Sequence, residues 1–471
     1  MTNQVETPFA IDDTDSVRLL SRALARGGDF AELFFEHSLA ISLHFEQEKV
    51  RNFSRHVDAG CGVRVVTGEA SGYAYTEDLE VSAIAHACDT AAHIASGQPG
   101  VAPQKIERRE RPDRYHPERC LIDLPFLERV AILRRADAAA RAADPRVEAV
   151  EVSLVESRRQ IRIVRSDGEQ VEDDQPMLRM NVLVVVADGE KRQKAMEGGG
   201  GRLGLEYFDR HQPEDLARRA VEVALKMLDA KPAPAGEFPV VLAAGDSGVL
   251  FHEAVGHGLE ADFNRKGTSN YSGRVGELVA SSLCTVVDDP GLDTDRGCIN
   301  VDDEGCEPQR RVLIRNGVLE GYMHDRISAK AMGAEPGSGR RESFRSLPMP
   351  RMSSTYLEAG EEDPEEILKA VSYGIYAKQF SGGQVNISNG DFVFSTTEAY
   401  LIENGRITAP LQGVNLIGNG PDCLSKVDAV GHDFVLSDGR WTCGKNGQGV
   451  PVGIGMPTLR ISAMTVGGSE L

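Results

Sequence analysis

Two histidines and a glutamate in one short segment have the residue types of a metal-dependent hydrolase. His252 and Glu253 follow three apolar residues, and His257 comes five positions after His252. Zinc hydrolases commonly place His-Glu on a helix with a second histidine one turn later, so that both imidazoles bind the ion and the carboxylate takes a proton from water. The segment therefore predicts a zinc site with Glu253 as the general base.

The five-residue step between the histidines does not suit a regular helix. Positions i and i+5 lie about 140° apart around an α-helix, so the two imidazoles would diverge. A π-helical turn would return them to one face, and a break at Gly256 would let His257 swing inward. We expect one of these two distortions.

A third ligand is needed, because catalytic zinc usually keeps three protein ligands and one open position. The spacing leaves two candidates open: Glu277, twenty residues after His257, and Cys443, in the glycine-rich stretch WTCGKNGQGVPVGIGMP. The short motif alone is weak evidence, because histidine and glutamate are common on helix surfaces, and it also fits a partly buried histidine and a solvated glutamate. Cys443 could likewise be a free thiol on a surface turn.

The segment before the histidines, Gly245-Asp246-Ser247-Gly248, resembles the nucleophile motif of chymotrypsin-like proteases. Those enzymes need a histidine and an aspartate earlier in a double β-barrel. We therefore expect Asp246 or Ser247 to cap the following helix instead.

The composition restricts the partners and the compartment. Net charge is 52 − 72 = −20 over 471 residues, which would repel nucleic-acid phosphates and anionic lipid. The N-terminus lacks the pattern of a signal peptide, and no apolar run is long enough to span a bilayer. Eight cysteines without a CxxC pair indicate free thiols in a reducing compartment. We expect a cytoplasmic protein that binds neither nucleic acid nor membrane.

Hydrophobic patterning and turn residues predict an α+β fold in three parts. We expect two N-terminal α+β domains, at 1–110 and 124–230, and a large β-rich domain at 237–471 that carries the metal site. The last domain has the short strands and Asn-Gly or Asp-Gly turns of a barrel- or sandwich-like fold.

Local patterns also predict the positions of helices and of one glycine-rich turn. Helices are expected over 16–26, 80–96, 127–143 and 213–230, and a single helix over 364–377 in the β-rich domain. The glycine run Gly198 to Gly201 is expected to form a flexible turn or bulge.

Three longer stretches carry a family resemblance. They are GVLFHEAVGHGLEADFNRKGTSNYSGRVGELVAS (248–281), GSGRRESFRSLPMPRMSSTYLEAG (337–360) and CGKNGQGVPVGIGMPTLRI (443–461). All three closely resemble the TldD/PmbA (TldE) peptidase family. The resemblance covers nearly all of the C-terminal domain and extends, less distinctively, through the two N-terminal units.

The resemblance implies a zinc metallopeptidase in which His252, His257 and Cys443 bind the ion and Glu253 is catalytic. It also implies an active heterodimer with a TldE/PmbA-like paralogue, or a homodimer in isolation, with the site in a cavity between the subunits. The family's substrates are unfolded peptides, including leader peptides of modified ribosomal peptides.

Several points remain open at this stage. Tyr271, Arg340 and Arg341 lie in family-like segments and are candidates for stabilising an oxyanion, and the sequence does not choose among them. Two other functions compete with the peptidase. One is a non-catalytic regulatory or scaffold subunit, and the other is a zinc amidohydrolase that acts on small amides.

Overall fold

A single seven-stranded sheet forms the N-terminal part of the computed structural model, which describes residues 9–96 and 101–468. The strand order is β3-β2-β1-β5-β6-β4, and β7 pairs with β6. The strands are β1 Phe30–Glu46, β2 Lys49–Thr67, β3 Ala70–Thr76, β4 Glu107–Arg108, β5 Val147–Arg165, β6 Glu169–Asp188 and β7 Lys191–Gly201.

Five helices accompany this sheet: α1 Asp13–Ala23, α2 Val81–Ile94, α3 Phe126–Ala143, α4 Tyr207–Arg210 and α5 Pro213–Leu228. Helix α5 shows why they form. Proline at its first position is preorganised for a helix, and Glu214 and Asp215 favour the positive end of its dipole. Its buried residues recur at three- and four-residue steps and pack with α3 against the sheet. The four helices expected in this region are confirmed, with ends shifted by up to three residues.

One long strand pair joins the two N-terminal units. Strand β1 pairs antiparallel with β5 from Glu32 opposite Arg165 to Glu46 opposite Glu151. The segments expected as two separate α+β units therefore contribute to one continuous sheet, because β1 is long enough to hydrogen-bond β2 on one side and β5 on the other.

The C-terminal part contains many short strands in several sheets. They are β8 Lys231–Pro232, β9 Gly236–Leu242, β10 Val286–Asp288, β11 Arg311–Arg315, β12 Val318–Leu319, β13 Gly339–Arg340, β14 Met349–Pro350, β15 Ser354–Leu357, β16 Tyr373–Val385, β17 Asp391–Glu403, β18 Arg406–Gln412, β19 Asn415–Asn419, β20 Val427–Val430, β21 Val435–Leu436, β22 Thr442–Lys445, β23 Gln448–Pro451, β24 Gly453–Met456 and β25 Leu459–Gly467.

Two larger sheets organise these strands. An eight-stranded sheet runs β16-β9-β25-β19-β17-β18-β8 and closes on itself because β16 also pairs with β17, while β20 joins β25. A six-stranded sheet runs β12-β11-β10-β15-β24-β21. Both sheets contribute side chains to one continuous hydrophobic core. The expected mixed α+β fold with a β-rich, barrel-like C-terminal part is confirmed.

Short helices connect the C-terminal strands: α6 Val249–Phe251, α7 Ala261–Arg265, α8 Arg326–Met332, α9 Pro364–Lys369 and α10 Gly420–Ser425. Within the described ranges no helix is both long and apolar enough to cross a membrane. All eight cysteines are free thiols, as expected.

The helix expected over 364–377 is wrong in its second half. Helix α9 ends at Lys369, and Tyr373 begins β16. Residues Ile375 to Ala377 pair with β9 on one side and with β17 on the other. Sheet pairing of β-branched and aromatic residues overrides a local pattern that fits a helix equally well.

The glycine run is also not the flexible turn or bulge that we expected. Gly198 to Gly201 continue strand β7 in register with β6. A Cβ on Gly199 would lie 2.4 Å from the carbonyl oxygen of Asp438, and one on Gly201 would lie 2.2 Å from that of Thr294. The glycines allow the strand to pass very close to the backbone of the C-terminal part.

Candidate metal centre

The two histidines lie on a distorted helical segment that follows β9. A 3₁₀ turn at Asp246–Gly248 leads into α6, then a π-helix at His252–Gly256 and a second 3₁₀ turn at His257–Leu259. The amide of His257 donates to the carbonyl of His252, which is the five-residue step of a π-helix. The predicted distortion is confirmed, in its π-helical form.

Packing holds this segment inside the main core. Phe251 and Val255 are fully buried. A Cβ on Gly256 would lie 1.9 Å from Met352 Sδ, so only glycine fits there without repacking. The Tyr271 hydroxyl donates to the carbonyl of Ala254 at 3.1 Å, which satisfies a backbone group of the π-turn.

The distortion brings both imidazoles to one place, where they meet a sulfur from a distant strand. The ring centroids of His252 and His257 are 5.1 Å apart at an interplanar angle of 82°. Cys443 Sγ lies 3.5 Å from His257 Nε2. Ligand atoms of the three residues all lie within 4.8 Å of one another, and all three residues are buried. This arrangement can hold a metal ion.

The chemistry of the donors fits such an ion. His252 Nδ1 is buried and has no hydrogen-bond partner among the described residues. Burial tends to raise the pKa of the Cys443 thiol, but the two neighbouring imidazoles hold that pKa well below its usual value. A thiolate with two imidazoles is a donor set that suits zinc.

Glu253 lies beside this cluster and is not one of the three clustered residues. Its Oε2 is 3.9 Å from His257 Nε2, and its side chain keeps about a fifth of its surface exposed. Burial raises the pKa of its carboxyl, and the neighbouring imidazoles partly offset that rise. A carboxylate with a raised pKa at the edge of a metal site is suited to accept a proton and release it again.

A second carboxylate, which the sequence did not single out, orients His257. Glu260 Oε2 lies 3.1 Å from His257 Nδ1. Burial tends to raise the pKa of Glu260, but Lys445 and His257 lower it to about 2. An ionised carboxylate can only accept a hydrogen bond, so Nδ1 donates to it, and Nε2 is the nitrogen that faces Cys443. The one available sequence signal was a carboxylate three residues after a candidate ligand.

Glu277, the other candidate for the third ligand, lies elsewhere. Its side chain is more than half exposed and pairs with Arg274 at 2.9 Å. The structure brings Cys443, and not Glu277, to the histidine pair. Cys443 is buried on β22, so it is not a thiol on a surface turn.

The expected helix cap is wrong. In the part of the chain that the structure describes, no side chain caps the helical segment at its start. Asp246 Oδ1 instead accepts hydrogen bonds from Ser437 Oγ at 2.6 Å and Trp441 Nε1 at 2.9 Å. Ser247 is buried, and its hydroxyl donates to the carbonyl of Ala377. Asp246 thus anchors the chain just before the Cys443 hairpin.

The three oxyanion candidates are engaged in structural contacts. The Tyr271 hydroxyl holds the π-turn. The Arg340 guanidinium donates to the carbonyls of Met352 and Pro451 at 2.6 and 2.8 Å. The Arg341 guanidinium pairs with Glu32 and donates to the carbonyl of Asp303. Tyr271 and Arg340 thus use donor atoms to hold the backbone, and Arg341 uses its Nη2 in the same way.

Comparison with known proteins matches almost the whole chain to one group of peptidases. Residues 31–95 match "PmbA/TldA metallopeptidase domain 1", residues 120–228 the central domain and residues 235–468 the C-terminal domain of the same group. The chain belongs to the TldD/PmbA family. The resemblance noted from the sequence is confirmed.

Full-length relatives of this family carry peptidase names. A Haemophilus influenzae protein named "Metalloprotease TldD homolog" is 41% identical over 478 residues, covering 100% of this chain and 99% of the relative. A Saccharolobus solfataricus protein named "Zinc metalloprotease TldD homolog" is 26% identical, covering 96% and 99%. The TldD/PmbA protein described here is a metallopeptidase.

A solved structure shares the fold. The crystal structure of TldE from Thermococcus kodakarensis superposes with a TM-score of 0.75 at 20% identity and covers 96% of this chain and 100% of that one. The likeness extends over both the N-terminal sheet and the C-terminal sheets.

Proposed function

We propose that this TldD/PmbA protein is a zinc-dependent peptidase that degrades unfolded peptides or removes leader peptides. In this proposal His252, His257 and Cys443 hold the zinc ion and Glu253 is the general base. The observation that carries the proposal is the convergence of two imidazoles and one thiol within 4.8 Å, beside a partly exposed carboxylate.

The residues divide the chemistry between them. A zinc ion held here would polarise the scissile carbonyl and lower the pKa of a coordinated water toward about 7. Glu253 accepts the proton of the attacking water at its carboxylate and returns it to the leaving amine nitrogen. Its raised pKa suits this double role, because the group must be deprotonated at the start and a useful acid later.

A partner subunit and a compartment complete the proposal. The protein would act in the cytoplasm as a heterodimer with a TldE/PmbA-like paralogue, and as a homodimer in isolation. The shared fold with a protein named TldE supports such a pairing, because paralogous chains with one fold can form a pseudo-symmetric dimer. The net charge of −20 argues against nucleic acid as a direct partner.

The decisive experiment measures metal and peptidase activity on the same samples. The chain is purified alone and with the paralogue, its zinc content is determined, and cleavage of an unfolded polypeptide is compared with hydrolysis of small amides. We expect about one zinc per chain, cleavage of the polypeptide, and loss of that cleavage after chelation. Zinc-free protein, or zinc protein that hydrolyses only small amides, would contradict the proposal.

Glu253→Gln tests the base separately from the metal. The substitution keeps the shape of the side chain but cannot accept the proton, so activity should fall about 10²- to 10⁴-fold with zinc content unchanged. Glu277→Gln is the matched control, because that carboxylate is exposed and lies outside the cluster. Equal activity of the Glu253 and Glu277 variants would remove the general-base assignment.

A further inference from the structure

We propose that Glu260 and Lys445 are positioning residues that set the spacing between His257 and Cys443. They would do so by linking the strand that carries the sulfur to the helical segment that carries the histidines. This inference rests on the proposed zinc site and deepens it.

The need for such a link follows from the strand that carries Cys443. Strands β22 and β23 form a hairpin closed by Asn446-Gly447, and in residues 9–96 and 101–468 this hairpin pairs with no other strand. A two-stranded hairpin is at best marginally stable by itself. Sheet register therefore does not fix the sulfur relative to the histidines directly. Apart from the packing of Cys443 and Val450 in the main core, polar contacts of side chains set that spacing.

Lys445 is placed to supply one of these contacts. Positions i and i+2 of a strand share a face. Cys443 and Lys445 are both buried, whereas Thr442 and Gly444, on the other face, are exposed. Lys445 Nζ lies 3.1 Å from Glu260 Oε2 and donates to Asp262 Oδ1 at 2.7 Å.

Glu260 completes the link with a single oxygen atom. The same Oε2 lies 3.1 Å from Lys445 Nζ and 3.1 Å from His257 Nδ1. Its side chain has no exposed surface. One carboxylate therefore joins the ring of a histidine ligand to the strand of the sulfur ligand, so a displacement of the hairpin is transmitted to the imidazole.

Arg351 ties the same hairpin at a second point. Its guanidinium donates to the carbonyl of Cys443 at 2.6 Å, and its Nε lies 3.9 Å from Glu260 Oε1. Arg351 and Glu260 are both completely buried. The two cations on either side of Glu260 keep this carboxylate in place even though it is removed from water.

The same burial dictates how the link is tested. Removing one partner of a buried ion pair leaves an uncompensated charge and can unfold the protein, whereas removing both partners is much better tolerated. Asp262 would lose Lys445 in such a variant, but its side chain is partly exposed and can be hydrated. The variants are therefore Glu260→Gln, Lys445→Met, the double variant, and Lys445→Arg, which keeps the cation.

Zinc affinity, measured on the full chain by competition with a chelator, is the primary readout. We expect Glu260→Gln and Lys445→Met each to lower it about 10- to 100-fold, because residues that orient ligands have effects of that size. The loss of zinc affinity in the double variant should be no more than about twice the larger of the two single-variant losses, because both residues act through one contact. Lys445→Arg should recover most of the affinity, and Glu277→Gln should leave it unchanged.

Two further readouts separate positioning from general stability. In cobalt-substituted protein, Lys445→Met should weaken the sulfur-to-cobalt charge-transfer absorption, which depends on the position of Cys443. For peptide cleavage, kcat should fall while KM stays within about twofold, because neither residue is proposed to touch substrate.

The outcomes distinguish this inference from the function on which it rests. Parent protein that binds no zinc contradicts the proposed function. If the parent protein binds zinc and the variants bind it within twofold of the parent, only the positioning roles are overturned. They are also overturned if the losses of zinc affinity in the two single variants multiply in the double variant. If the single variants do not fold, the double variant alone decides: a loss of zinc affinity of about tenfold or more supports the positioning roles, and a smaller loss overturns them.

Discussion

The two regions that carry the proposed ligands are held in the molecule by different sets of contacts. The helical segment at 249–259 lies inside the main hydrophobic core, where Phe251 and Val255 are buried and Gly256 packs against Met352. The hairpin at 442–451 contributes Cys443 and Val450 to the same core, and buried charged side chains, among them Lys445 and Arg351, also attach it. The histidines are therefore held mainly by packing, which tolerates little change in volume, and the sulfur by packing together with electrostatic contacts, which tolerate little change in charge.

Removal of the sulfur itself is expected to have the largest effect on zinc binding. Cys443→Ala should lower zinc affinity at least about 100-fold, because one of three ligands is lost while the two histidines stay in place. Chelator competition measures the loss, and circular dichroism checks that the fold is retained.

The matched control for that variant is Cys284→Ala, which removes a buried thiol from the same core without removing a candidate ligand. Zinc affinity equal to that of the parent is expected for the control. Zinc affinity in Cys443→Ala equal to that of the parent would mean that the hairpin supplies no ligand to the ion.

A volume change should separate the regions next. Gly256→Ala should destabilise the protein by about 1–2 kcal/mol, because the new methyl group meets Met352 in a filled core and outweighs the helical preference for alanine. Gly444→Ala, on the hairpin, meets no atom within 4 Å and should change stability by less than about 0.5 kcal/mol. Denaturant unfolding of the metal-free proteins measures the free energy of unfolding of both variants. Equal destabilisation by the two substitutions would show that the helical segment is packed no more tightly than the hairpin.

The smallest expected effect concerns removal of the metal. Chelation should speed amide hydrogen exchange in the hairpin about tenfold, because a two-stranded element loses one of its attachments. Exchange in the helical segment should stay within about twofold, because its packing does not depend on the ion. Equal acceleration in both regions would show that the ion, and not the core, holds the histidines.

Some features of the molecule could be predicted from short-range patterns. The long helices of the N-terminal part follow from apolar residues at three- and four-residue steps. A distortion of the helix follows from the five-residue step between His252 and His257, because a regular α-helix does not place both rings on one face, and the structure shows its π-helical form rather than a break at Gly256. The second half of the 364–377 segment was misjudged, because the pairing partners of Ile375 to Ala377 are distant in sequence.

The division into domains at 110 and 230 stays a prediction, and the observed sheet qualifies how separate the first two units are. Strand β1 pairs with both β2 and β5, so the N-terminal strands form one sheet. Pairing between strands more than a hundred residues apart has no local signature beyond alternating burial, which fits either arrangement.

By itself the sequence predicted the kind of chemistry at this site, because His252, Glu253 and His257 lie within six residues and the longer stretch around them resembles one peptidase family. The spacing left Glu277 and Cys443 as candidates for the third ligand and the family resemblance implied Cys443, and the tertiary structure places Cys443, not Glu277, beside the two histidines. It also decided that Glu260 and Lys445 face the site. Contacts between residues nearly two hundred positions apart depend on how the sheets and the hairpin pack, and local sequence patterns do not predict that packing.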